Sequence, residues 1–240
     1  MRLLITRPIE DAAPLAEVLA ERGHETIIEA LMTINDVTAP DLDTDTNGVQ
    51  AVLITSANGI RAFARANAER TIPVCAVGDA SARAARELGF TQVHSAGGDV
   101  ETLAAMVEKD FNGAAGPLLH VAGTHIAGDL AGRMTQAGFE MRRVVLYEAY
   151  ASETLGPKTA AALQSGALDG VLLFSPRTAE LFCRLVTDAG LGENCRQVTA
   201  WGLSAAVAEK ASALSWADIK VAATPDSQAL LDAIETAQQS

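Results

Sequence analysis

The sequence has few aromatic residues and few cationic ones. Phe, Trp and Tyr make up 4% of its 240 residues, too few to build stacking platforms for single-stranded nucleic acid. Lys and Arg number 18 against 30 Asp and Glu, a net charge of −12. That balance leaves no basic face for phosphate backbones or anionic membrane surfaces. An acidic ligand would have to be held by local features, not by the field of the whole chain. The three cysteines, Cys75, Cys183 and Cys195, are far apart and form no C-x-x-C pair, which speaks against a zinc knuckle or a dithiol redox motif. A sparse, odd count fits a reducing compartment. No apolar run approaches the roughly 18 residues of a membrane span. The first apolar stretch, Leu3–Ile5, is too short for a signal peptide, so the expected address is cytoplasmic. Walker, dinucleotide-binding and nucleophile-elbow glycine patterns are all missing, and with them the usual signs of a P-loop, a Rossmann site or a serine hydrolase.

What the chain does have is short apolar runs alternating with alanine-rich helical stretches. Leu3–Thr6, Glu25–Leu31, Val49–Thr55, Val74–Val77 and Gln92–His94 read as strands in the first half. Between them lie helices, the first carrying Leu15, Val18 and Leu19 between Pro14 and Gly23. Leu118–Val121, Glu140–Tyr150, Val171–Phe174, Val198–Trp201 and Lys220–Ala222 follow in the second half, with a last helix over Pro225–Ile234. Such runs suit strands covered on both faces of a parallel sheet. Strands alternating with helices indicate an α/β protein.

The order repeats. Leu4 precedes Gly23 by the same interval as Leu119 precedes Gly138. Val52-Leu53-Ile54-Thr55-Ser56 matches Val171-Leu172-Leu173-Phe174-Ser175, and Ala76-Val77-Gly78 matches Ala200-Trp201-Gly202. Two copies are too few for a solenoid and predict two similar lobes with a cleft between them. The polar stretches Asp36–Asn47 and Ser152–Pro157 read as surface connections.

Strand ends repeatedly meet a hydroxyl residue and then a helix. Thr55, Ser56 and Asn58 follow one strand, and Ser175-Pro176 its counterpart. Ser before Pro is a strong helix start. Gly78 with Ser81, Gly202 with Ser204, and Asp226-Ser227 open three more helices. Each alone reads as an ordinary cap. Together they would set helix N-termini at the carboxyl ends of strands, where open α/β sheets bind ligands and where N–H groups favour anions. Arg7 falls directly after the first strand, either in that ligand region or in a surface ion pair. His120 and His125 do not have the spacing of helical metal ligands. Tyr147 and Tyr150, the only tyrosines, are three apart in an extended segment, so one packs while the other faces the cleft. Periodicity does not choose between them.

Taken in order, these elements resemble the uroporphyrinogen-III synthase family over nearly the whole chain. The matching segments are Ile5-Thr6-Arg7-Pro8, Leu53–Gly59, Ala76-Val77-Gly78, the Tyr147 segment, Phe174-Ser175-Pro176, Trp201-Gly202 and Pro225–Leu231. The resemblance implies an α/β fold of two flavodoxin-like parallel-sheet lobes joined by two extended linker strands. One lobe would be discontinuous, 1–35 plus 152–240, and the other 38–148. It implies a cytoplasmic, monomeric, cofactor-free and metal-free lyase of heme and porphyrin biosynthesis. Such an enzyme cyclises hydroxymethylbilane, a linear tetrapyrrole with eight carboxylates, to uroporphyrinogen III, losing water and inverting the last ring. The family's tyrosine maps to Tyr147, as a proton or hydrogen-bond donor to the departing hydroxyl. Arg7, Thr55, Ser56, Asn58, Gly78, Ser81, Ser175, Gly202, Ser204 and Ser227 would bind substrate. The chain departs from the pattern at Ala122 and at Ala127 or Gly128, where many members carry arginines. His120, His125 or backbone amides would then anchor carboxylates on that side. Two other readings stand beside this one: a non-catalytic two-lobe module binding a small polyanion, and a flavodoxin-like FMN or nucleotide protein, which the missing glycine-rich turns disfavour.

Overall fold

The computed structural model describes residues 1–37, 44–124 and 128–238. In chain order its elements are β1 (Arg2–Ile5), α1 (Ile9–Glu21), β2 (Glu25–Ile28), β3 (Met32–Asp36), β4 (Ala51–Ile54), α2 (Ala57–Ala66), β5 (Val74–Ala76), α3 (Asp79–Glu87), β6 (Val93–Ser95) and α4 (Val100–Asp110). Then come β7 (Leu118–Gly123), α5 (Leu130–Gln136), β8 (Met141–Ala151), α6 (Pro157–Gln164), β9 (Gly170–Leu173), α7 (Pro176–Asp188), β10 (Thr199–Gly202), α8 (Ala205–Ala211), β11 (Asp218–Val221) and α9 (Ser227–Gln238).

The chain divides into two compact units. A terminal unit comprises Met1–Thr33 and Tyr150–Ser240, and a central unit comprises Ile34–Ala149. The chain passes from one to the other within β3 and again within β8. The terminal unit's sheet has the order β2-β1-β9-β10-β11, with every neighbouring pair parallel. In the central unit β8-β7-β4-β5-β6 repeats that order, again in parallel, and β3 adds an edge beside β8. Numbered by the sequence repeat, so that β7 and β8 answer to β1 and β2 and β4, β5 and β6 answer to β9, β10 and β11, both sheets run 2-1-3-4-5, the flavodoxin-like arrangement.

Burial on two faces explains the short apolar strands. All four residues of β4 are buried. Val52 and Ile54 pack with Ile60 and Phe63 of α2, while Ala51 and Leu53 pack with Leu103 and Val107 of α4 and Met134 of α5. In the terminal unit, Leu3 and Ile5 meet Leu15 and Leu19 of α1 and Leu231 and Ile234 of α9.

Three elements differ from the sequence reading. The first helix starts at Ile9, so Pro14 lies inside it. Pro14 is on the exposed face, where the unbonded Glu10 carbonyl can be hydrated. Met32–Asp36 is a strand, where the sequence reading stops a strand at Leu31, starts a polar connection at Asp36 and assigns nothing between them. As an edge strand it keeps mostly polar, exposed residues. Helix α6 begins where a surface connection was expected. The Glu29 carboxylate caps it, accepting from Gly156 N at 2.9 Å and from Thr159 Oγ1 at 2.5 Å.

Candidate functional site

The carboxyl end of the central sheet brings together three segments. After β4, Ser56 adopts an extended backbone and caps α2, its Oγ accepting from Gly59 N at 3.1 Å. On β8, the Tyr147 side chain packs into the α2 and α3 face of the core and is 8% exposed. Its hydroxyl lies 2.8 Å from Ser56 Oγ. At the end of β7, Gly123 sits opposite Tyr147 in register. Of the two tyrosines, Tyr147 is thus the packed one, and Tyr150 is exposed.

The Tyr147–Ser56 pair can donate in either direction. Ser56 Oγ already accepts from Gly59, so donating its own proton to Tyr147 completes a chain running from Gly59 N–H through Ser56 to Tyr147. That leaves the phenol proton for a third partner. Hydrogen bonds arranged head to tail in this way polarise one another. Thr55 and Asn58 flank the turn and are half-buried. Asn58 Oδ1 is buried with no hydrogen-bond partner among the described residues. Gly78 caps α3 by its backbone alone, and Ser81 is buried on the inward face of that helix.

The corresponding end of the terminal unit is built differently. The Arg7 guanidinium stacks 4.7 Å from the centre of the Phe174 ring. It donates to Ser227 Oγ at 3.3 Å and pairs with Asp11 at 3.5 Å. A cation held on three sides keeps a fixed direction, so little freedom is lost when an anion binds it. Ser175 caps α7, accepting from Thr178 N at 3.1 Å, and shares a 2.6 Å hydrogen bond with Thr178 Oγ1. Gly202 is buried at the end of β10. Ser204 starts α8 without a side-chain cap bond. Asp226 caps α9, accepting from Ala229 N at 2.9 Å. The structure therefore joins Arg7 with Ser227, and Ser56 with Tyr147, while Ser81, Ser204 and Gly202 serve their own elements.

His120 is 3% exposed on β7, and neither ring nitrogen has a hydrogen-bond partner among the described residues. Burial, and secondarily the Arg143 charge, pull its pKa down from 6.5 to about 4. It is therefore a neutral imidazole at neutral pH, not a cation for carboxylates. His125 and Ala127 lie outside the described residues. Ala122 is buried on β7. Burial raises the Cys75, Cys183 and Cys195 thiols to about 12, 11 and 12, which leaves them protonated and unreactive. Among the described residues, no three His, Cys, Asp or Glu side chains gather as metal ligands.

Sequence reasoning passed over Gly123, Phe174 and Thr178 as site-building residues. A glycine closing a fully buried strand, as at Gly123, is the one signal that was present, because such glycines mark close approaches.

The profile of the HEM4 family, uroporphyrinogen-III synthase HemD, matches residues 13–232. No curated protein matches by sequence. Among solved structures, a uroporphyrinogen-III synthetase from Helicobacter pylori is 17% identical, with a TM-score of 0.62 and coverage of 98% of this chain and 99% of that one. A mutant uroporphyrinogen III synthase from the extremely thermophilic bacterium Thermus thermophilus is 15% identical, with a TM-score of 0.59 and coverage of 100% and 99%. At such identities the likeness is one of fold, and it spans both units. The profile match covers nine-tenths of the sequence, and on that ground the chain belongs to the uroporphyrinogen-III synthase family.

Proposed function

We propose that this protein closes hydroxymethylbilane into uroporphyrinogen III, with net loss of one water and inversion of the last pyrrole ring. The observation that carries the reading is the Tyr147 hydroxyl, backed by Ser56 Oγ at 2.8 Å at the carboxyl end of the central sheet. With Ser56 donating to it, Tyr147 presents its proton to the hydroxyl leaving the terminal carbon. The C–O bond breaks, water departs and an electrophilic azafulvene remains. The substituted carbon of the last ring then attacks to form a spirocyclic intermediate. The bond to the original bridging carbon breaks and leaves a second azafulvene on the neighbouring ring. The unsubstituted carbon of the inverted ring closes onto it and gives up its proton, which restores the Tyr147 phenol. Direct closure at the unsubstituted carbon gives the type I isomer, so the protein's main task is positioning. Arg7 anchors a carboxylate, with Phe174 and Ser227 holding its guanidinium. Free N–H groups at the helix starts marked by Ser56, Gly78, Ser175 and Ser204 suit further carboxylates. Thr55, Asn58, Ser81, Gly202 and Ser227 line or support these turns.

We further propose that the protein works as a cytoplasmic monomer. Its three free cysteines are all buried, as suits a reducing compartment, and no described helix is long and apolar enough to cross a membrane. Light scattering after gel filtration reads the oligomeric state. The activity test is to supply fresh hydroxymethylbilane, oxidise the products and separate the two uroporphyrin isomers. Predominantly type III is expected. Type I alone, at the spontaneous rate and from folded protein, would leave a binding module of the same fold.

A further inference from the structure

The β7–β8 ladder pairs one residue with one residue from Leu118↔Met141 to Ala122↔Val145, and then jumps to Gly123↔Tyr147. Leu146 is the extra residue of a β-bulge. Bulges bend a strand and re-aim the side chains that follow. Here alternation breaks, and Leu146 and Tyr147 are both buried against the same cluster. Without the extra residue, Leu146 would stand opposite Gly123.

The bulge sets the Tyr147 ring directly against Gly123. A Cβ on Gly123 would lie 2.7 Å from Cζ, 2.8 Å from Cε2 and 3.1 Å from the hydroxyl oxygen of Tyr147. These atoms are the working end of the phenol, not its base. On the other edge of the ring, a Cβ on Gly59 would lie 3.7 Å from Cε1 and 3.3 Å from the Val121 carbonyl oxygen. Neither glycine has a positive φ, so backbone conformation does not demand glycine at either place. The missing side chain does, and much more tightly at Gly123. The slot is also pinned from outside: Arg143 Nη2 donates to the Gly123 carbonyl at 3.2 Å, and Thr124 N donates to the Tyr147 carbonyl at 3.1 Å.

We infer that Gly123, together with the bulge at Leu146, is a positioning residue for the reaction: the empty space at its Cα fixes where the Tyr147 hydroxyl lies and so brings it to Ser56. The inference rests on the proposed role of Tyr147 but makes a claim about geometry that can fail separately. Since the chain has only two tyrosines, protein labelled with ¹³Cζ-tyrosine gives two resonances, and Tyr147→Leu identifies which is which. In Gly123→Ala the Tyr147 resonance should move while that of Tyr150 stays. The value of kcat for type III product should fall about tenfold or more, as for a small misplacement of a reacting group, with KM nearly unchanged. In a Tyr147→Leu background, where Cε2, Cζ and the hydroxyl are gone, the same substitution should lower the remaining rate no further. An unmoved Tyr147 resonance, or an equal fall in both backgrounds, overturns the inference. If Gly123→Ala alone does not fold, stability is read instead. Gly123→Ala with Tyr147→Leu should then fold as well as Tyr147→Leu does, and a double variant that fails where Tyr147→Leu folds would overturn the slot. A wild-type protein that makes no type III isomer would sink the proposed function, while the resonance shift would still report on the slot.

Discussion

Ser56 and Ser175 occupy the same place in two sheets of the same strand order, each just past the middle strand, β4 or β9, and each capping the helix that follows. Their hydroxyls have different partners. Ser175 closes on Thr178 of its own helix, a local and self-contained cap. Ser56 reaches across to Tyr147, far along the chain on β8. The first strands diverge in the same manner. By the repeat, Ile5 and Arg7 of β1 and its turn correspond to His120 and Ala122 of β7. The terminal unit carries a fixed cation where the central unit has a small apolar residue, and an apolar core residue where the central unit has an imidazole. One fold therefore supplies two settings, a guanidinium held by Phe174, Ser227 and Asp11 in the terminal unit and a paired hydroxyl in the central one. The difference lies in a few residues at strand ends and not in the scaffold.

The largest expected effect follows from removing the Tyr147 hydroxyl. Tyr147→Phe should lower kcat for type III product by about 10²- to 10³-fold, the range of a positioned proton donor. KM should change little, and stability should fall by about 1 kcal/mol for the lost hydrogen bond. Steady-state assay and urea unfolding read both. Full activity in a folded variant would erase the contrast between the units at its strongest point.

His120 gives a second contrast, in acid stability. Its folded pKa of about 4 lies below the ordinary 6.5, so the unfolded chain takes up the proton first as pH falls. The stability that neutral His120 secures is fully present above 6.5 and is lost as pH falls through about 4. The swing is about 3 kcal/mol. His120→Leu, which makes the strand resemble the terminal unit's at Ile5, should flatten the acid limb across that window relative to wild type. Urea midpoints at a series of pH values test this. Parallel curves for the two proteins would mean that His120 is not the titrating group.

How far the sequence revealed all this depends on how local the cause was. The short apolar strands could be read because burial on both faces leaves no polar alternation, as in Ala51–Ile54. The caps at Ser56 and Ser175-Pro176 could be read because they act within four residues. Helix α6 could not, because the carboxylate capping it is Glu29, 127 residues away from Gly156. Edge strand β3 was hidden because an edge keeps polar residues. The choice between Tyr147 and Tyr150 was hidden because it depends on a bulge, and a bulge is a property of the pairing between two strands. Arg7 could be placed after its strand, but not its stacking on Phe174, which follows β9.

Arg7 tests the terminal side of the comparison. Arg7→Ala should raise KM about tenfold, the loss expected for one charge-assisted contact, with kcat nearly constant. Such a pattern marks binding shared by ground and transition states. Arg7→Lys should recover only part of it, because an ammonium neither stacks flat on Phe174 nor grips a carboxylate with two parallel bonds. A drop in kcat at constant KM would instead make Arg7 a participant in the chemical step and blur the division between the units.

The two serines give the smallest effect and the cleanest comparison. Ser175→Ala and Ser56→Ala each remove one helix cap, so each should lose about 1 kcal/mol of stability. If the cap were all that mattered, the two variants would also match in rate. In the proposed mechanism Ser56 has a second task, since its proton frees that of Tyr147 for the leaving oxygen. Ser56→Ala should therefore lower kcat severalfold more than Ser175→Ala at equal loss of stability. Adding Ser56→Ala to Tyr147→Phe should leave the rate where Tyr147→Phe put it, because groups in one hydrogen-bonded unit do not contribute independently. Independent, multiplying losses would mean that Ser56 acts on the substrate directly and not through Tyr147.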